Sequence, residues 1–123
     1  MTTPADFIRE YEQACNTHNF DNVVTLIAPE AVYWFNDGSF HGPDQIRGAF
    51  EKTWTAIQDE RYALEDVNWI AASDEVAVCV YRFRWQGHAG GQFVSGAGRG
   101  TSVLRRDDGH WRVAHEHLSR IPA

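Results

Sequence analysis

At Arg61 the sequence passes from one periodicity to another, and that change narrows the fold more than any single motif. The runs from Tyr62 to Ile70, Glu75 to Trp85, Gln92 to Arg105 and Trp111 to Arg120 are rich in Val, Tyr, Phe and Trp. They are separated by Ser73-Asp74, by Gly87 through Gly91 and by Asp107-Asp108-Gly109. β-Branched and aromatic side chains suit a pleated, half-buried surface, and Gly and Asp supply turn conformations, so four antiparallel strands joined by hairpins are expected.

The residues before Arg61 carry helix signals instead. Thr3-Pro4-Ala5-Asp6 offers a capping hydroxyl, a proline suited to the first turn and an acid near the positive end of the helix dipole. Phe7, Tyr11, Ala14 and His18 follow at helical spacing, which predicts a helix over about residues 4–17. Asn19-Phe20-Asp21 restarts a short helix through Val23, Val24 and Ile27 that ends at Pro29, and Gly42-Pro43-Asp44 opens a longer one carrying Ile46, Phe50, Trp54 and Ile57. Between them Ala31 to Phe35 reads as a short apolar strand. Helices followed by a meander imply an α+β fold in which helices cover one face of a curved, mostly antiparallel sheet. The other face is apolar in places, so something is expected to cover it.

A length of 123 residues fits one domain, expected over residues 1–123, and aromatics at 13% supply enough bulk to line a cavity as well as fill a core. Net charge is −6 and no run of Lys or Arg exceeds Arg105-Arg106, so neither nucleic acid nor an anionic membrane is an expected partner. Two cysteines are too few for a disulfide framework, and "MTTPADFIRE" has neither a basic nor an apolar leader region, which together predict a reducing, cytoplasmic setting.

Three histidines crowd the stretch "HWRVAHEHLSR". On a strand, His115 and His117 share a face and are able to offer two imidazoles to one ion, but a third ligand would have to come from His18, His41 or His88, and no metal is expected. Strict alternation puts Trp111 and Val113 on that same face; burying each stabilises the domain by roughly 2 kcal/mol. The histidines then read as hydrogen-bonding groups at an interface or pocket rim, able to make association pH-sensitive. In "VAVCVYRFRW" both faces are apolar and one turns cationic at Arg82 and Arg84; a buried arginine needs a counter-charge, for which Glu116 is available. No Gly-x-Ser-x-Gly elbow occurs, and "GAGRGTS" lacks the lysine and following helix of a phosphate loop, so it reads as a flexible strand segment.

The segments "NTHNFDNVVTLIAPEAVYW", "HGPDQIRGAFEKTW" and "GRGTSVLRRDDGHWRVAHEHLS" resemble the nuclear transport factor 2-like superfamily, and within it the SnoaL-like and calcium/calmodulin-dependent kinase II association-domain group. The likeness covers nearly the whole chain and is most specific from Thr101 to Ser119. It implies a cone-shaped α+β barrel with a pocket between sheet and helices, and a homodimer formed through the sheet. The superfamily hosts isomerases, dehydratases, cyclases and non-catalytic oligomerisation modules, so the fold does not choose a reaction. The association-domain pattern places an arginine at Arg82 that lines the pocket and helps bind small carboxylates. Its other pocket positions fall on Glu60, Ser102 and Leu118. A ketosteroid-isomerase branch places its oxyanion-donating tyrosine at Tyr11 but puts Phe35 where its base stands. Asp37, in the turn-like "FNDG", and His115 are the remaining catalytic candidates.

The expectation is therefore a domain that holds a small organic ligand, with a carboxylate as one option, in a mostly aromatic pocket without a cofactor. Arg82, Trp34, Trp54, Glu116, Tyr33 and Phe50 are its candidate binding residues. Metal-free acid/base isomerisation, dehydration or cyclisation is one use of such a pocket, and a non-catalytic homo-oligomerisation module is the alternative.

Overall fold

The computed structural model describes residues 2–121. Met1, Pro122 and Ala123, which belong to the expected 1–123 domain, lie outside the described residues. In chain order the elements are α1 (Pro4–Cys15), α2 (Asp21–Val24), β1 (Ile27–Phe35), β2 (Gly38–His41), α3 (Gly42–Ala56), β3 (Gln58–Ala72), β4 (Val76–Ala89), β5 (Gln92–Asp107) and β6 (His110–Arg120). The architecture is α+β, with a six-stranded curved sheet that does not close. Strand order is β2-β1-β6-β5-β4-β3, antiparallel throughout except where β1 runs beside β6.

Local chemistry explains most of the boundaries. Thr3 caps α1 through its hydroxyl, which accepts from the Asp6 N–H, while the Asp6 carboxylate accepts from the Thr3 N–H. The helix stops two residues short of the expected end, and His18 takes a left-handed backbone with φ 57°. The second helix is shorter than its pattern implies, because Ile27 and Pro29 already belong to β1. Pro29 is tolerated there because the β1–β6 register is interrupted between Ile27 and Val32, where no ladder N–H is required of it. Asn36-Asp37 is the turn between β1 and β2, a short strand that the sequence pattern does not announce.

Phe7, Ile8, Tyr11, Ala14 and Cys15 form the buried side of α1 and pack with Cys79, Tyr81, Leu104, Trp111 and Val113 of the sheet. The helix is also hydrogen-bonded to the exposed edge of β3. Arg9 donates to the Leu64 carbonyl at 2.8 Å, Glu12 accepts from the Leu64 N–H at 2.6 Å, Asn16 both accepts from and donates to the Tyr62 backbone, and the His18 ring donates to the Glu60 carbonyl. These side chains satisfy edge groups that would otherwise invite another strand, and they fix α1 over one end of the sheet.

One irregularity decides which side chains of β6 face inward. Val103 pairs with His115 but Leu104 pairs with Val113, so Ala114 is an extra residue in β6. A bulge of this kind reverses the alternation beyond it. Trp111 and Val113 are buried on the helix-covered face together with Glu116, while His115 and His117 turn outward. The expected sharing of one face by Trp111, Val113, His115 and His117 is thereby corrected.

Candidate functional site

Beneath α1 and α3 the inner face of the sheet lines an open-mouthed cavity of about 350 Å³. Tyr11, Cys15 and Glu116 lie at its inner end, and Asp37, Glu60 and Arg120 also line it. Its walls are rich in aromatic rings: Phe35 from β1, Phe50 and Trp54 from α3, Tyr62 from β3, Phe83 and Trp85 from β4. Trp54 is held by an edge-to-face contact with Phe50 at 5.6 Å and a stacked contact with His18 at 5.4 Å between ring centroids.

The glycines of β5 shape the sheet side of this cavity. A Cβ on Gly96 would stand 2.6 Å from the Trp85 indole, on Gly98 2.3 Å from the Phe83 ring, and on Gly100 2.4 Å from the Tyr81 ring. Glycine at alternate positions lets the inward aromatics of β4 lie against the neighbouring backbone. "GAGRGTS" is therefore not a slack segment; it is paired with β4 throughout and with β6 from Gly98 onward, and forms a flat bed for aromatic rings.

Glu116 dominates the electrostatics. It is only 3% exposed, its Oε1 has no hydrogen-bond partner among the described residues, and desolvation pushes its carboxyl up to about 8 against a lowering contribution from the Tyr11 hydroxyl. Ser102, its cross-strand neighbour on β5, shares its hydrogen bond with Tyr81 at 2.8 Å instead. The Tyr11 and Tyr33 hydroxyls are 2.7 Å apart and both are pushed well above the ordinary tyrosine value, by burial first and by the Glu116 charge second. Burial thus favours the protonated carboxyl of Glu116 and both protonated phenols at the inner end, and the Tyr11–Tyr33 hydrogen bond takes up one of the two phenol protons. Burial likewise raises the Glu60 carboxyl, with the nearby His18 charge acting in the opposite direction.

The candidates drawn from the sequence fall in different places. Tyr11, Phe50, Trp54, Glu116 and Asp37 border the cavity, Asp37 at its exposed edge 4.0 Å from Lys52. Tyr33 is fully buried behind it and reaches it through Tyr11. Trp34 lies on the outer face, 45% exposed, with its ring edge-on to His115 at 4.9 Å and His117 at 5.6 Å. His115 is fixed there by a ring nitrogen 2.6 Å from the Val32 carbonyl. Arg82 is exposed on the outer face between Glu65 and Arg99, because Tyr81 and Phe83 occupy the inward positions of β4. The expected Arg82 lining and the Arg82–Glu116 pair are thereby corrected: the two residues belong to opposite faces. Tyr62, Phe83, Trp85 and Arg120 line the cavity without having been singled out. The signal for the β4 pair was the two-residue spacing of Gly96, Gly98 and Gly100. Among the described residues no group of three or more His, Cys, Asp or Glu side chains is placed to hold a metal ion.

Solved structures with this architecture are numerous. A nuclear transport factor 2-like protein from Salmonella enterica superposes with TM-score 0.87 at 18% identity, covering 96% of this chain and 88% of that one. A putative calcium/calmodulin-dependent protein kinase II association domain from Xanthomonas campestris gives 0.84 at 22%, covering 99% and 94%. A ketosteroid isomerase-like protein from Erwinia carotovora atroseptica gives 0.81 at 17%, covering 97% and 94%. At these identities the likeness establishes the fold and no activity. No curated protein matches the chain. A family model described as the SnoaL-like domain matches residues 8–114, so the chain belongs to the SnoaL-like family, and its fold is the one seen in nuclear transport factor 2-like proteins.

Proposed function

We propose that this domain binds a small, largely apolar organic molecule and transfers a proton to or from an oxygen of that ligand at the inner end of the cavity, without a cofactor. The reading is carried by one observation: Glu116 is buried at an aromatic cavity with one carboxyl oxygen unpaired. A buried polar atom left without a partner costs free energy, and a ligand oxygen that accepts the Glu116 proton removes that cost. Tyr11 is the second donor. Two neutral donors in a site shielded from water stabilise negative charge developing on a carbonyl or hydroxyl oxygen, which is the requirement of enolisation, dehydration and aldol-type cyclisation alike. The ketosteroid isomerase-like neighbour supports this class of chemistry by analogy of fold alone. Where that branch has its base this chain has Phe35, so Glu116 gives its proton to the ligand oxygen, the carboxylate so formed takes up the proton that the ligand releases in the same turnover, and Tyr11 donates a hydrogen bond throughout.

The test does not require the substrate. Infrared difference spectra should show a protonated carboxyl stretch that disappears as pH rises through about 8 in the wild type and is absent from Glu116→Gln. Binding of a neutral aryl ketone, followed by tryptophan fluorescence, should weaken over the same interval. A carboxyl that is already ionised at pH 6 sinks the reading.

A second reading is favoured by the outer face. Trp34, His115 and His117 make an exposed aromatic and imidazole patch on the sheet, and the association-domain-like neighbour is named for assembly. On this reading the domain forms a homodimer through the sheet, in the reducing cytoplasm that its two buried free thiols suit. Light scattering at micromolar concentration tests it, and a monomer overturns it.

A further inference from the structure

If the cavity is a ligand site, its lining also specifies the ligand's charge and length. Beyond the Ala114 bulge, Glu116, Leu118 and Arg120 follow at two-residue spacing and all line the cavity. At about 3.3 Å per residue, the Cα atoms of Glu116 and Arg120 stand roughly 13 Å apart along the strand. Glu116 is buried and Arg120 is exposed, so this row leads from an uncharged donor inside to a fixed cation at the rim, with Leu118 between them. Across from it lie the rings of Phe50 and Trp54, and beside it those of Phe83 and Trp85.

The rim charges are unequal. Asp37 faces Lys52 at 4.0 Å, and the ionised form of Glu60 is opposed by its burial. Arg120 forms no salt bridge among the described residues, and a guanidinium keeps its charge at any physiological pH. We propose that the cavity selects a flat organic acid whose carboxylate pairs with Arg120 at the rim, whose ring lies between the aromatic walls, and whose far end carries an uncharged oxygen for Glu116. The planar fork of arginine matches a carboxylate with two parallel hydrogen bonds. The glycine bed under Phe83 and Trp85 flattens the slot on the sheet side, which favours a ring over a branched aliphatic body. Arg82 and Arg84 lie on the outer face and take no part.

The experiment uses three probes with one skeleton: para-hydroxyphenylpropanoate, its methyl ester and para-hydroxyphenylpropylamine. Each is titrated by calorimetry into the wild type, Arg120→Gln and Arg82→Gln. The acid should bind the wild type about tenfold more tightly than the ester, a modest ratio because Arg120 is exposed to solvent. The ratio should fall to about one in Arg120→Gln, persist in Arg82→Gln, and shrink in high salt. Equal affinity for acid and ester, an undiminished ratio in Arg120→Gln, or tightest binding of the amine overturns the inference while leaving a ligand cavity in place. No saturable binding of any probe overturns both the inference and the ligand reading on which it rests.

Discussion

The two faces of β6 carry the same kinds of residue and give them opposite fates. On the inner face Glu116 is shut away from water beside Tyr11, and its carboxyl is pushed up to about 8. On the outer face His115 and His117, its immediate neighbours in sequence, rest against Trp34 within reach of solvent. The histidines are the conspicuous groups in the sequence, yet the chemically unusual one is the glutamate between them. Burial, not residue type, makes the difference: an ionised carboxylate loses its hydration inside, whereas an exposed imidazole loses little.

The largest expected effect sharpens this contrast directly. Because the folded-state value of Glu116, about 8, lies above its ordinary value of 4.5, the folded protein keeps a proton that the unfolded chain releases over that interval. Its contribution is fully present below pH 4.5 and is lost as pH rises toward 8, with a decline on the order of 4–5 kcal/mol. Urea unfolding at pH 5, 7 and 9 should therefore show wild-type stability falling relative to Glu116→Gln, with the variant the more stable at pH 9. Parallel profiles for the two proteins would mean that water reaches Glu116 and that the faces do not differ.

A second pair of substitutions probes packing across the same sheet. Gly98 faces inward, where a Cβ would stand 2.3 Å from both the Phe83 ring and the Ser119 carbonyl oxygen; its neighbour Arg99 is exposed on the outer face. Gly98→Ala should cost about 2–3 kcal/mol through overpacking, and Arg99→Ala no more than about 0.5 kcal/mol. Chemical denaturation of both variants measures the difference. Similar values would mean that the rings of β4 are free to move aside and that the aromatic bed is not rigid.

The inner face also depends on α1 staying at the β3 edge, since α1 brings Tyr11 to Glu116. Asn16 accepts from the Tyr62 N–H at 2.7 Å and donates to its carbonyl at 2.8 Å. Asn16→Ala should destabilise by about 2 kcal/mol, the sum of two modest hydrogen bonds, and should increase amide exchange at Tyr62. Unchanged exchange there would show that apolar packing alone holds the helix.

Much of this architecture was legible in residue pattern. The Thr3-Pro4-Asp6 start, the Gly42-Pro43 start and the turns at Ser73-Asp74 and Asp108-Gly109 follow local rules, and local rules survive folding. What the pattern hid was non-local. Alternation along "HWRVAHEHLSR" is sound on each side of Ala114 and turns Glu116 and Leu118 to the side away from the histidines, as expected, but one bulged residue moves Trp111 and Val113 to the Glu116 face, and nothing in a lone alanine announces a bulge. The same limit misplaced Arg82: its inward orientation was inferred from a family register, whereas Tyr81 and Phe83 take the inward positions because glycines across from them on β5 leave room. Arg120 was unremarkable as a terminal strand residue until the register put it in line with Glu116 and Leu118.

The smallest expected effects lie on the outer face, and they test whether it is inert. His115 contributes a hydrogen bond to the Val32 carbonyl and is partly buried, so His115→Ala should cost about 1 kcal/mol; His117 is exposed, and His117→Ala should stay within about 0.5 kcal/mol. Neither should alter the titration of Glu116, because both rings stand on the other side of the sheet. Association responds differently. If the sheet packs against a second copy, His117→Glu places a charge on the patch beside Trp34 and should weaken the dimer in light scattering, while leaving the thermal stability of the isolated monomer almost unchanged. A substitution that moves the Glu116 titration and not the assembly would show that the two faces communicate through the strand, and that their separation by the bulge is geometric without being energetic.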